Sequence, residues 1–170
     1  VRKSLEQLKQ IDLSPFFAVS HSDEPESNAN GLLVCHIRYQ GFQGHIRATT
    51  RPVSLDASAL STIISLPEFE SWRANGGLIV SDALGSQAVR DFYTQGGETF
   101  QPRSVARDAF VAGDDLLFLG KIFPDGPGGE NYFTNLPILG FFTHENTPHS
   151  PLSHLGDAAV GRILSHKIAI

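Results

Sequence analysis

The chain has 170 residues, 41% of them hydrophobic, and a net charge of −5. That supplies the apolar material for one core of ordinary domain size. The acidic balance and the scattering of the 13 Lys and Arg along the chain argue against a nucleic-acid surface, and no run approaches the ~18 apolar residues of a membrane span.

No signal-peptide pattern precedes the first predicted element. The sequence has no methionine and opens on Val1-Arg2-Lys3 in what reads as helix, which suggests a piece of a longer chain. The single Cys35 excludes an internal disulfide and sits in an apolar strand pattern, as expected of a buried structural thiol.

In chain order, residues 4–19 read as an amphipathic helix entered through a Ser4-x-x-Gln7 capping box, with Pro15 ending or breaking the regular part. Residues 20–30 read as a polar loop. Gly31 to His36 follows as a strand, its apolar run continuous rather than alternating, as in parallel sheets covered on both faces. Beyond a polar loop at 38–53, Leu60, Ile63 and Ile64 mark a second helix with Ser54 or Asp56 as its cap.

Leu78–Ser81 is the second strand. Leu84, Ala88, Val89 and Phe92 predict a helix over 83–93, and a further helix over 103–112 ends at Gly113. Leu116–Leu119 is the third predicted strand. Residues 121–151 carry five prolines and several glycines and read as an irregular loop or insertion. A last helix spans 155–167, with Ala159, Val160, Ile163 and Leu164 facing inward. Strands alternating with helices imply an α/β protein with about three parallel strands.

Asp82 stands where an apolar strand ends and a helical pattern begins. Barrel enzymes place their chemistry at that junction. A carboxylate there can serve as nucleophile or electrostatic stabiliser, or it can simply cap the helix that follows. His36, at the end of the first strand, reads either as a pocket-lining residue or as a satisfied structural histidine. Arg38 and Arg51, in the loop that follows, could bond a ligand or remain solvated loop charges. Asp115 reads as fixing the start of the third strand. His144, Glu145, His149 and His154 lack metal-ligand spacing, because Thr147 and Pro148 intervene. Gly126, Gly128 and Gly129 lack the Lys-Ser/Thr ending of a phosphate loop.

The run Gly77-Leu78-Ile79-Val80-Ser81-Asp82-Ala83-Leu84 resembles the nucleophile motif of glycoside hydrolase family 3. Leu13-Ser14-Pro15-Phe16 is similar to that family's Leu-x-Pro-Phe turn, and Leu33-Val34-Cys35-His36-Ile37 to its Met-Val-Ser-His-Ile strand. Pro52-Val53-Ser54-Leu55 matches its Pro-x-Ser-Leu helix entry. Ala109 to Leu117 resembles its Ala-x-x-Ala-Gly-x-Asp strand, and Asp157 to Leu164 its last barrel helix. The resemblance covers most of residues 1–120 and again 155–168. It departs at Gly85-Ser86, where the family commonly has Met, and across 121–151.

The resemblance implies the C-terminal half of a (β/α)8 barrel as a single partial domain over 1–170. It implies retaining hydrolysis of a β-glucoside or β-N-acetylglucosaminide, with Asp82 as nucleophile and His36 and Arg38 at the sugar. No cofactor or metal is implied. The family's Lys-His-x-Pro-Gly-His-Gly loop and its general acid have no counterpart in this sequence. A second expectation is therefore an inactive or degenerate half-barrel, or one that pairs with a complementary half.

Overall fold

The computed structural model describes residues 1–21, 27–122 and 151–168. The first turn, α1 (Leu5–Gln7), is closed by the expected capping box. Gln7 N–H donates to Ser4 Oγ at 3.2 Å, and the Gln7 side chain accepts from Ser4 N–H at 3.0 Å. A wide π turn over Leu8–Asp12 follows, closed by Leu13 N–H on Leu8 O at 2.8 Å. Helix α2 (Ser14–Ser20) then starts with Pro15 in its first turn, where a missing N–H costs nothing. Pro15 thus opens a second helix.

Strand β1 (Gly31–Val34) pairs in parallel with β2 (Leu78–Ser81), with Leu33 opposite Val80 and Val34 opposite Ser81. Between them lie a short α3 (Gln40–Gln43), a 3-10 turn over Val53–Leu55, α4 (Ala57–Ile64) and α5 (Pro67–Ala74). Asp56 caps α4, accepting from Ser58 and Ala59 N–H at 3.1 Å each. Ser54 is left for another partner. Helix α5 was not expected, because only Phe69 and Trp72 of its residues are buried and the helical stripe is short. The indole N–H of Trp72 donates to Ala29 O at 2.6 Å, and Gly77 makes room for the ring. A Cβ there would come within 2.2 Å of it.

Helix α6 spans Gln87–Tyr93 and α7 spans Pro102–Ala112, the latter ending at Gly113 with φ +122° as expected. The last element, α8, spans Pro151–Ile168. Two apolar clusters form the core. One joins Leu55, Leu84, Val89, Val105, Ala106, Ala109 and Ile122; the other joins Leu60, Leu66, Phe69, Trp72, Ile79 and Ala112.

This architecture overturns the expected half barrel with about three parallel strands. The described residues are mainly helical, and only two strands pair, in one sheet. The segment expected as a third strand makes a single bridge, Leu116 to Val80. The cause is local. Strand β2 stops at Ser81, whose side-chain oxygen takes the Phe118 N–H at 2.9 Å. The next acceptors, Phe118 O and Leu119 O, meet Leu84 and Gly85 N–H in a turn instead of a strand. Coverage of β1 on both faces also fails among the described residues. Leu32 and Val34 pack against the second cluster, whereas Leu33 is 56% exposed.

Asp115 ties these parts together. Its buried carboxylate accepts from Ile79 N–H at 2.8 Å, from both Nη atoms of Arg73 on α5, and from Nε and Nη2 of Arg162 on α8. Burial alone would raise its pKa. The bonds from Arg73, Arg162 and the Ile79 amide outweigh that and hold it below the ordinary carboxylate range. With a depressed folded pKa, its contribution to stability is present above the ordinary carboxyl pKa and is lost as pH falls through the folded value. Asp115→Ala leaves the mostly buried Arg73 and Arg162 without their carboxylate, Arg73 keeping only its bond to Gly77 O, and is expected to cost roughly 3–5 kcal/mol. Urea unfolding at neutral pH measures this, and a loss below about 1 kcal/mol would show that the cluster holds little.

Candidate active site

The parallel pair ends with Asp82 N–H donating to Val34 O at 3.1 Å, so Asp82 sits at the C-terminal mouth of β2 beside that of β1. The residue is half-buried. Its Oδ1 accepts from Ala83 N–H at 2.7 Å, and Oδ2 has no hydrogen-bond partner among the described residues. Asp82 is not the cap of α6, because that helix starts at Gln87 with Ser86 at its N-cap position. Residues 82–86 form a turn in between, pinned by Leu84 N–H on Phe118 O at 2.9 Å and Gly85 N–H on Leu119 O at 3.1 Å.

Gly85 is required here by close approach. A Cβ would lie 2.2 Å from the Lys121 carbonyl carbon. Arg90 locks the same crossing, bonding Gly85 O at 3.1 Å along with Lys121 O and Ile122 O. Any side chain larger than hydrogen is thereby excluded at position 85.

His36 reaches this loop from β1. Its Nε2 lies 3.0 Å from Ala83 O and its Nδ1 lies 2.7 Å from Ser54 Oγ. Both ring nitrogens are therefore engaged within the protein. Ser54 was missed as a partner because it also fits a helix cap. Its signal was its setting, a serine inside the apolar Val53–Leu55 turn, where a buried hydroxyl needs a bond.

Arg38 follows two residues on, with Cζ 5.4 Å from the centre of the Phe92 ring of α6, within cation–π range. Its Nε is buried with no hydrogen-bond partner among the described residues. No hydrogen bond joins it to Asp82 among the described residues. Arg51 is elsewhere, paired with Asp108 at 2.6 Å, and Asp108 also accepts from Tyr93 OH at 2.7 Å.

A separate apolar cavity of about 310 Å³ lies along β1 and includes none of Asp82, His36 or Arg38. Its polar atoms are spoken for. Asp12 pairs with Lys3 at 2.7 Å, and the half-buried Cys35 thiol lies 3.5 Å from Tyr39 OH. No group of three or more His, Cys, Asp or Glu side chains that could hold a metal occurs among the described residues. His144, Glu145 and His149, like most of the loop expected over 121–151, lie outside them. Nor is any helix among the described residues long and apolar enough to cross a membrane.

No protein-family profile and no curated protein matches the chain. Among solved structures it is similar to zinc-bound CbsA from Thermotoga neapolitana, with a TM-score of 0.65 at 17% identity over 99% of this chain. A second structure of CbsA from the same organism gives a TM-score of 0.62 at 18% identity, also over 99% of this chain. At such identity the likeness is one of fold. The chain spans 30% and 31% of the length of those two chains.

Asp114, beside Asp115, carries no signal in the sequence that marks it out. It is 1% exposed, and neither carboxyl oxygen has a hydrogen-bond partner among the described residues. Burial first, and the charge of Asp115 second, push its pKa up to about 8. A raised carboxyl pKa means the folded state keeps a proton that the unfolded chain has released. Stability should therefore fall as pH rises from the ordinary carboxyl range towards about 8. Asp114→Asn is expected to flatten that decline, as read from unfolding free energies across the same pH range. An unchanged slope would mean Asp114 is not the group responsible.

Proposed function

We propose that this chain carries the nucleophile of a retaining β-glycosidase of the glycoside hydrolase family 3 kind, with Asp82 in that role. The observation that supports this most is the state of Asp82. It is a half-buried carboxylate at a strand mouth, oriented through one oxygen by the Ala83 amide and unpaired at the other. In this reading Oδ2 attacks the anomeric carbon of a β-glucoside or β-N-acetylglucosaminide. The C1–O bond to the aglycone breaks and a glycosyl ester forms on Asp82. A general acid protonates the departing oxygen, then takes a proton from the water that hydrolyses the ester.

Arg38, half-buried with its guanidinium against Phe92, is the residue this reading gives to a sugar hydroxyl. His36 has no free ring nitrogen for that task. Retaining hydrolysis also needs a general acid about 5 Å from the nucleophile, and among the described residues no second acid is hydrogen-bonded to Asp82. That observation favours a second reading for the 170-residue chain taken alone, as catalytically incomplete. Assay of the chain beside the parent protein separates the two.

In the full-length parent, Asp82→Asn is expected to lower hydrolysis of aryl β-glycosides by about three orders of magnitude or more. A 2-fluoro glycoside, which slows breakdown of the ester, should leave a covalent sugar on the peptide bearing Asp82, seen by mass spectrometry. Near-normal turnover of the variant, or a label on another residue, would overturn the assignment.

A further inference from the structure

We propose that His36 is a positioning residue for Asp82, acting through a line of three hydrogen bonds that starts at the buried Ser54. The inference rests on the reading of Asp82 as nucleophile and adds to it the device that aims the carboxylate.

The line runs through consecutive groups of fixed polarity. Ala83 O can only accept, so the His36 nitrogen 3.0 Å away, Nε2, must carry a proton. In the neutral ring Nδ1 is then the acceptor, and Ser54 Oγ, 2.7 Å away, must donate to it. Ala83 N–H in turn donates to Asp82 Oδ1 at 2.7 Å. The Ala83 carbonyl thereby fixes the tautomer, Ser54 supports it by donating to Nδ1, and the opposite side of the same residue orients the carboxylate.

Both ends of the line are rigid. Ser54 is fully buried within a 3-10 turn whose three residues are all buried, and Val53 N–H ties that turn to Ile37 O at 2.9 Å, next to His36. The turn that carries Ala83 is held on its other flank by Leu84 and Gly85 on the 118–119 backbone. His36 supplies the hold from the β1 side. A ligand role would require a ring nitrogen that the protein has already used.

The test exploits which nitrogen does the work. A Gln amide reaches to the place of Nε2 and can donate to Ala83 O. An Asn amide reaches only to the place of Nδ1 and can serve Ser54 alone. In the 170-residue chain, His36→Asn is expected to speed amide hydrogen exchange at Ala83, Leu84 and Gly85 about tenfold or more, with His36→Gln close to wild type. Equal behaviour of the two variants, whether both slow or both fast, would overturn the proposal. Nitrogen NMR of wild-type His36 should show the Nε2–H tautomer, and a dominant Nδ1–H form would also overturn it. If His36→Asn fails to fold, Ser54→Ala carries the test. It should loosen the same amides by removing the bond that steadies the ring, and unchanged exchange would overturn the proposal.

In the parent protein His36→Asn should lower kcat about 100-fold with KM little changed, and His36→Gln should recover most of it. A rise in KM at unchanged kcat would instead make His36 a substrate-binding residue. The exchange and NMR readouts do not depend on catalysis. If Asp82→Asn leaves hydrolysis intact, the glycosidase reading fails while those readouts still judge the line of bonds.

Discussion

The carboxylate of Asp115 is the point on which the arrangement of this chain depends. It gathers five hydrogen bonds from three separate elements: two from Arg73 on α5, two from Arg162 on α8 and one from the Ile79 amide on β2. Two strands of four residues each make a weak sheet by themselves. Here the centre of β2 is fixed from the side, because the Asp115 backbone N–H also returns a bond to Ile79 O at 2.8 Å. The segment 115–119 is thereby held beside β2 without becoming a strand of the sheet. α8, far along the chain, is brought to the same place, where His166 Nε2 also lies 2.8 Å from Gly76 O.

Fixing the middle of β2 fixes its mouth. The strand leaves Asp115 at Ile79 and reaches Asp82 three residues later, so the carboxylate there inherits the position of the ion cluster. Three further constraints converge on the turn after it: the His36 ring from β1, the Phe118 and Leu119 carbonyls, and the crossing of 121–122 over Gly85. Such a turn has little freedom to lose when a ligand arrives. That is the condition under which a positioned carboxylate is most effective.

Much of this was legible in residue order, and the limits have physical causes. The Ser4–Gln7 box, the cap at Asp56, the strand Leu78–Ser81 and the stop at Gly113 rest on local chemistry, which a short window of sequence carries. The third strand was not legible, because its loss turns on Ser81 offering Oγ to the Phe118 amide, a contact across 37 positions. Helix α5 was hidden because its burial rests on two aromatic rings and not on a long stripe. The setting of Asp82 at a strand mouth could be read from the apolar run ending in a carboxylate. The partners of His36 could not be read, since Ser54 lies 18 residues away and Ala83 lies 47 away.

Three aspartates near β2 show how environment divides one side chain into three kinds of group. Asp115 is buried and surrounded by donors, so it holds its charge and gives it wholly to structure. Asp114, its neighbour, is buried with no donor among the described residues, and both burial and the adjacent charge favour its neutral form. Neither can meet a ligand, the first because its oxygens are taken by arginines and the second because solvent does not reach it. Asp82 differs from both. It is half-buried, one oxygen is oriented by a single amide, and no cation pairs with it among the described residues. Of the three it alone combines an oriented carboxylate with an oxygen left open. For that reason the proposed chemistry falls on Asp82, while Asp115 serves the fold.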